Sequence, residues 1–307
     1  MLIDAGESSS ESAVYNYLKD KGVKKIDVLV ATHPHADHIG GMAYIIDNFD
    51  IGSIYMPKAT TTTKTFETLL TTIKSKGLSI KTAKSGVVID LDSALTVNMV
   101  APIGSSYDDL NAYSAVIKIT YKNNSFLFAG DANNTSEQEI LNAGANIKAD
   151  VLKVGHHGSA TSTSTAFLKA VSPQYAVISV GQGNSYGHPT QATLERLNTI
   201  GAKVYRSDIG GTVVITSNGQ NIKVNRKATT YNSQAPPPKT AIIAKVAKTP
   251  VPSAVAKTND VIVYKTKTGA KYHLDGCSSL SKSKISIKLS EAKAEGLTAC
   301  ARCHPPQ

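Results

Sequence analysis

The sequence predicts an α/β domain in which helices cover mixed sheets, followed by a smaller and separate unit. Over residues 1–226, short apolar or β-branched runs alternate with helix-like segments, which is typical of sheets covered by helices. Prolines cluster over residues 236–252, and all three cysteines follow near the C-terminus. These changes predict a domain over 1–226, a Pro/Ala/Lys linker over 227–259 and a small module over 260–307.

Local patterns predict the elements that matter for the site. The apolar run from Ile26 to Ala31 predicts a buried strand, and residues 39–49 predict a helix shortly after it. Residues 63–76 predict a second helix, which ends before a glycine. Thr135 and Gln138 have the spacing of a capping box, so we expect them to begin a further helix.

Composition limits the classes of function. Hydrophobic residues make up 41% of the chain, which is enough for a packed core, and no apolar run reaches the length of a membrane-spanning helix. Residues 1–226 carry 20 Lys+Arg against 19 Asp+Glu, whereas residues 227–307 carry 13 against 4. The basic tail predicts a polyanionic partner, either nucleic acid or an anionic wall polymer; a merely solvated tail is the alternative.

A dense group of metal-binding residue types follows the first predicted strand. His33, His35, Asp37 and His38 lie within six residues. Imidazole and carboxylate suit Zn²⁺, and also Mn²⁺ or Fe. In an extended segment, His33 and His35 point the same way, while Asp37 and His38 face a neighbouring point. The segment therefore predicts ligands for two adjacent metals.

This pattern resembles the His-x-His-x-Asp-His signature of the metallo-β-lactamase superfamily. Further pieces follow the family's order: Asp4 in an early Leu-Ile-Asp-Ala-Gly motif, Asp131 after Phe-Ala-Gly, and His188 before a proline. The resemblance implies an αββα sandwich with a two-metal hydrolase site. The family normally has two strands before the Asp4 motif, and the resemblance implies that this sequence lacks them; no signal-peptide pattern is visible in it either.

A narrower resemblance is to the ComEC/Rec2-like hydrolase domain of competence proteins. It lies in His33–Gly41, in Val151–Ser159 with its His156-His157 pair, and in Gly187–Pro189. This resemblance implies a nuclease that acts on DNA. The chain departs from the wider superfamily because no histidine lies between His38 and His156.

The two resemblances together imply roles for the site residues. A two-metal-activated hydroxide would be the nucleophile, with Asp131 bridging, Asp37 as a ligand that also orients the nucleophile, and one or both of His156 and His157 as ligands. The first metal would be held by His33, His35 and a later His, and the second by Asp37, His38 and His188. Substrate contacts are expected from Asn111, Ser114 and Ser159, or from Ser162 and Thr163, whose alternative role is helix capping.

Function remains open between three readings. The first is a phosphodiesterase or nuclease, the second a surface phosphocholine-type esterase or other small-ester hydrolase, and the third a non-catalytic, metal-stabilised scaffold anchored by its basic tail. An extracellular or cell-surface location is expected by analogy with similar chains.

The C-terminal module contains a second set of metal-binding residue types. His273 and Cys277 are four residues apart, and Cys300 and Cys303 form a Cys-x-x-Cys pair. A Cys₃His set of this kind predicts a structural Zn²⁺ site, and a disulfide between two of the cysteines is the alternative. The pattern also resembles small modules appended to secreted or surface bacterial enzymes.

Overall fold

The structure is a computed structural model that describes residues 1–229, 262–267, 269–274, 277–280, 283, 285–300 and 303. The chain divides into two compact units, Met1–Ala241 and Ile242–Gln307. The predicted linker lies outside the described residues from residue 230 onwards, so its boundaries stay a prediction. Among the described residues, no helix is both long and apolar enough to cross a membrane.

The first half of the larger unit forms a parallel sheet of order β1-β2-β3-β4. Its strands are Leu2–Ile3, Lys25–Val30, Asp50–Met56 and Ile80–Thr82. The helices between them are α1 to α4, at Glu11–Asp20, Ala36–Ile39, Met42–Asn48 and Lys64–Ser75. All strand pairs in this sheet are parallel, so their carboxyl ends lie at one edge.

The second half forms a mixed sheet of order β10-β9-β8-β7-β6-β5. Its strands β5 to β10 are Leu95–Ala101, Val116–Tyr121, Asn124–Phe128, Val151–Lys153, Tyr175–Ile178 and Lys203–Arg206. Helices α5 to α8 are Asn134–Asn142, Thr165–Val171, Gln191–Thr199 and Ser207–Gly210. A hairpin of β11, Ile215–Ser217, and β12, Ile222–Val224, follows.

The alternation of side chains along β2 divides the core into layers. Val28 and Val30 pack with Met99 and Ile117 of the second sheet, whereas Leu29 packs with the helices of the first half. A third cluster joins the second sheet to its own helices. Because successive residues of a strand face opposite sides, one strand contributes to two layers. The result is a helix–sheet–sheet–helix sandwich, which confirms the predicted fold class.

Two predicted elements differ from the observed ones. The helix expected over residues 39–49 is broken, because α2 ends at Ile39 and α3 begins at Met42. A Cβ on Gly40 or Gly41 would lie 2.5 Å from a backbone atom, so the two glycines let the chain after β1 pack closely there. The predicted Thr135–Gln138 capping box is also wrong. The side chain of Asn133 caps α5 instead.

The smaller unit contains a sheet of order β15-β13-β14-β16. Strands β13 to β16 are Ile262–Lys265, Lys271–His273, Ile285–Lys288 and Thr298–Ala299, and helix α9 is Leu289–Ala294. Its described apolar core is small and centres on Val263, Tyr272 and Ile287.

Candidate metal centre

Asp4 connects the ends of two neighbouring strands. It follows β1, and its carboxylate accepts hydrogen bonds from the backbone N–H and hydroxyl of Thr32, each at 2.8 Å. Thr32 follows β2, the parallel neighbour of β1. The second contact of Asp4 is with His38, whose Nδ1 lies 2.7 Å from Oδ2. A carboxylate on one ring nitrogen fixes the ring and leaves Nε2 for a metal.

Asp131 is the centre of the site. Its side chain is 2% exposed and lies after β7, where Gly130 has a positive φ of 52°. Its Oδ2 lies within 4 Å of four imidazole nitrogens: Nε2 of His33 at 3.9 Å, His38 at 3.2 Å, His156 at 3.9 Å and His157 at 3.3 Å. Its Oδ1 is buried and has no hydrogen-bond partner among the described residues. A buried carboxylate oxygen without a partner fits a cation ligand.

The adjacent histidines His156 and His157 contact different parts of this centre. Both have left-handed backbone conformations, with φ of 46° and 53°, and the N–H of His156 donates to the carbonyl of Gly130 at 3.2 Å. His157 Nε2 lies 3.1 Å from Asp37 Oδ2, and its Nδ1 lies 2.7 Å from the carbonyl of Ser179. The ring of His156 lies edge-on to that of His188 instead, with centroids 5.6 Å apart.

Four ligand atoms therefore form one compact set, called here the closed group. One atom each from Asp37, His38, Asp131 and His157 lie within 4.8 Å of one another. Sequence reasoning placed His188 with Asp37 and His38, but the structure brings His157 there. His188 lies beside His156, because Gly158, whose Cβ would lie 2.5 Å from Pro189, allows the two loops to touch.

The remaining histidines near Asp131 form a second set of donors, called here the open group: His33, His35 and His156. Nε2 of His33 lies 2.9 Å from Nδ1 of His35. His156 approaches the same carboxylate oxygen as His33. Of the two neighbouring histidines, only His157 contributes to the closed group, a distinction that sequence spacing left open. The imidazole and carboxylate donors of both sets fit divalent cations.

The charges of the closed group balance one another when no cation is bound. Burial lowers the pKa of His38, but the carboxylates of Asp4 and Asp131 outweigh it and raise the pKa to about 10. Burial opposes protonation of His157 too, yet its hydrogen bonds to Asp131 and Asp37 raise the pKa to about 9. Although burial alone would raise the pKa values of Asp37 and Asp131, contacts with these histidines hold both well below the usual range.

The open group differs because His33 is neutral. Burial, followed by the charge of His38, lowers the pKa of His33 to about 3. Burial also lowers the pKa of His156 and, together with the neighbouring histidines, that of His188. Neutral imidazoles present a free lone pair, so the open group needs no proton release from His33 before a cation binds.

The residues predicted to contact substrate are mostly buried and bonded within the protein. Ser114 is fully buried, and its Oγ accepts the backbone N–H of Asp131 at 3.0 Å, so it positions the aspartate. Ser159 is 6% exposed, and its Oγ pairs with the hydroxyl of Thr161 at 3.0 Å. Asn111 has a buried Oδ1 that lacks a partner in the described part of the chain.

Ser162 and Thr163 are fully buried, so the phosphate contacts considered for them would need the loop to open. Ser162 donates to the carbonyl of Ala132 at 2.7 Å, and Thr163 accepts the N–H of Gly155 at 3.3 Å. Neither caps the following helix, because Ser164 accepts the N–H of Phe167 there. These hydroxyls hold the loop that carries His156 and His157.

Sequence reasoning missed two residues that support this loop. Glu137 is buried and accepts the backbone N–H groups of Thr163 and Ser164; burial raises its pKa. Lys153 donates to the carbonyls of Gly130 and Val154, at 3.1 and 3.2 Å. The only sequence signal for Lys153 was its place in the motif before His156.

An exposed aromatic ring lies beside the centre. Tyr186 is 81% exposed, and its ring stacks on that of His188 with centroids 5.9 Å apart and planes 23° apart. The outer face of the tyrosine is therefore open to solvent. A flat apolar face next to a metal centre is suited to stacking a planar group of a substrate.

The smaller unit brings its four predicted ligands together. One ligand atom each from His273, Cys277, Cys300 and Cys303 lie within 4.8 Å of one another. No disulfide joins Cys277, Cys300 or Cys303, so the disulfide alternative is not formed.

Comparison with known proteins agrees with the fold. A model of the Metallo-beta-lactamase superfamily matches residues 1–182. ComE operon protein 3 of Bacillus subtilis is 34% identical over 206 residues, 67% of this chain and 26% of that protein. Competence protein ComA of Neisseria gonorrhoeae is 29% identical over 228 residues, 74% of this chain and 30% of that protein.

Recombination protein 2 of Haemophilus influenzae is 28% identical over 231 residues, 74% of this chain and 27% of that protein. The chain therefore spans about a quarter to a third of the length of these three relatives.

Proposed function

Since the chain belongs to the metallo-β-lactamase superfamily, a family mostly of hydrolases, we propose that it is a metal-dependent phosphodiesterase that cleaves DNA. The observation that carries the hydrolase part is Asp131, a buried carboxylate with four imidazole nitrogens around one oxygen and, within the described ranges, no partner on the other. The DNA part rests on similarity to competence proteins and on the exposed ring of Tyr186.

Two cations fit the donor groups, and either Zn²⁺ or Mn²⁺ suits His and Asp ligands. Asp37, His38, Asp131 and His157 would hold one, and His33, His35, His156 and the shared Asp131 the other. Bound there, the cations would supply Lewis-acid charge and lower the pKa of water to about 7. The fold thus supports hydrolysis of an ester or diester bond.

The side chains of the chain divide the remaining tasks. Asp131 is buried and serves as a ligand, whereas the side chain of Asp37 is 43% exposed and is placed to hydrogen-bond a water or substrate. Asp4 keeps the His38 ring in one orientation. Tyr186 offers a stacking face for a nucleobase, an interaction that binds every base type and so suits a non-specific nuclease.

The basic tail supports a polyanionic partner and, by analogy, a location at the cell surface or outside the cell. Residues 227–307 carry most of the net charge, whereas the hydrolase part is nearly neutral. Such a tail raises the local concentration of a polyanion near the hydrolase site. If the proposal is right, binding to DNA weakens steeply with salt. Cell fractionation tests the location.

The near-neutral hydrolase part also favours a second candidate, a phosphocholine-type or other small-ester hydrolase. A nuclease usually presents a basic surface around its site. A small diester does not need one.

The decisive experiment incubates the purified chain with single- and double-stranded DNA and with a phosphocholine diester, each with Mn²⁺ or Zn²⁺. Asp131→Ala is the test variant, and Asp20→Asn, an exposed carboxylate at the end of α1, is the matched control. We expect metal-dependent DNA cleavage that Asp131→Ala abolishes and Asp20→Asn retains. Cleavage of the diester alone would favour the second candidate, and no turnover of either by a folded, metal-loaded sample would favour the scaffold reading.

A further inference from the structure

The smaller unit gathers its metal-binding residue types at one edge of its sheet. His273 ends β14, and Cys300 follows β16, which is the parallel neighbour of β14. Parallel neighbours end at the same edge, and the N–H of Cys300 donates to the carbonyl of Tyr272 at 3.0 Å. Cys277 lies just before a 3₁₀ turn at Ser278–Leu280. The topology therefore brings residues from two distant stretches of sequence together.

Two distances between these ligand atoms are close to those of a tetrahedral zinc site. His273 Nδ1 lies 3.3 Å from Cys277 Sγ and 3.9 Å from Cys303 Sγ. A tetrahedron with Zn–S bonds of about 2.3 Å and a Zn–N bond of about 2.0 Å separates its ligand atoms by about 3.5–3.8 Å. The backbone N–H of Leu274 also donates to Cys303 Sγ at 3.3 Å, a contact that would stabilise a metal-bound thiolate there.

The burial of the cluster indicates that its residues have a structural role in the unit. His273, Cys277 and Cys300 are buried, and Cys277 and Cys300 pack with Leu280 in a small cluster. The other described core residues of the unit are few. A unit of this size gains little free energy from apolar burial alone and commonly needs a metal or disulfides. Since the three cysteines form no disulfide, the close approach of their Sγ atoms to His273 Nδ1 favours a metal.

We propose that the smaller unit binds one structural Zn²⁺ through His273, Cys277, Cys300 and Cys303, and that its described fold depends on this ion. Three thiolates and an imidazole select a soft cation, so Mn²⁺ and Mg²⁺ do not replace zinc there. The hydrolase site has only oxygen and nitrogen donors. The chain therefore carries two kinds of site, and the thiolate site discriminates more strongly against Mn²⁺.

The test uses the full chain and needs no activity. After exhaustive dialysis against Mn²⁺, metal analysis is expected to find one zinc per chain that remains bound. Cys300→Ser is expected to lose it, whereas Ser279→Ala, which replaces an exposed hydroxyl of the same unit, and Asp131→Ala, in the hydrolase site, retain it. Substitution by Co²⁺ should produce a thiolate-to-cobalt absorption band that Cys300→Ser weakens.

A measurement on the unmodified chain covers the case in which Cys300→Ser fails to fold. Alkylation of the three thiols is expected to be slow in the zinc-loaded chain and fast after chelation, with loss of hydrogen-exchange protection over residues 262–300. Equal alkylation rates before and after chelation, or a chain that holds no zinc after purification in the presence of zinc, would overturn the proposal.

Discussion

Binding of a cation between Asp37, His38, Asp131 and His157 should release two protons at pH 7. The pKa of His38 is raised to about 10 and that of His157 to about 9, so both rings carry a proton in the metal-free protein. A histidine must be neutral to act as a ligand, so each ring loses its proton as the cation binds.

The magnitude follows from these two pKa values. Both lie above the ordinary value of about 6.5, so protons compete with the metal and affinity strengthens as pH rises. With two protons released, the association constant rises about 100-fold per pH unit below pH 9, about tenfold between pH 9 and 10, and levels off above pH 10. The stability of the chain without a bound cation depends on pH in the opposite direction. The two raised pKa values contribute stability below pH 6.5 that is lost as pH rises through 9 and 10.

Titration calorimetry with Mn²⁺ measures this directly and avoids the thiolate site. Repeating the titration in buffers of different ionisation enthalpy counts the protons released. We expect two for the unmodified chain and one for His157→Gln, because only His38 then carries an exchangeable proton in the closed group. An affinity that is constant between pH 6 and 8, with no proton release, would refute the assignment of charges in this group.

Three further predictions concern the orientation of His38, the stacking of substrate on Tyr186 and the packing of the core. Asp4→Asn removes the carboxylate that orients His38 and should weaken Mn²⁺ binding about 10- to 100-fold in the same titration, while unchanged affinity would deny it that role. Tyr186→Ala should raise KM for single-stranded DNA by about 10- to 100-fold and Tyr186→Phe should not, since stacking contributes about 1–3 kcal/mol per base; equal effects would exclude stacking. Leu152→Ala, at a fully buried position of β8, should lower the free energy of unfolding by about 2–5 kcal/mol in urea, and a change below 1 kcal/mol would contradict its place in the core.

The parts of the fold that sequence could predict are those set by local periodicity. The strand expected over residues 26–31 is β2, and its alternating side chains also supply the core layers on both faces. The helix expected over residues 63–76 is α4, which Thr63 caps. In both cases the pattern of apolar residues lies within the element itself, so no distant contact was needed to recognise it.

Elements decided by distant contacts were not predictable in this way. The break between α2 and α3 depends on Gly40 and Gly41, but the reason for the break lies in Ala5 and Ser8, which approach from the chain after β1. Periodicity continues through the break because both short helices cover the same face of the sheet. A one-dimensional pattern therefore predicts one helix where the packing requires two.

The same distinction holds for the site: residues within one short segment could be predicted, whereas placements set by distant contacts could not. His33, His35, Asp37 and His38 were recognisable because one short segment carries them all. The separate placement of His156 and His157 depends on backbone handedness, which neighbouring residue types do not determine. Two consecutive non-glycine residues in the left-handed region are unfavourable, and here Gly130 holds the N–H of His156 in place. The same bond ties the His156 loop to the residue before Asp131, so a change at Gly130 should disturb both donor groups together.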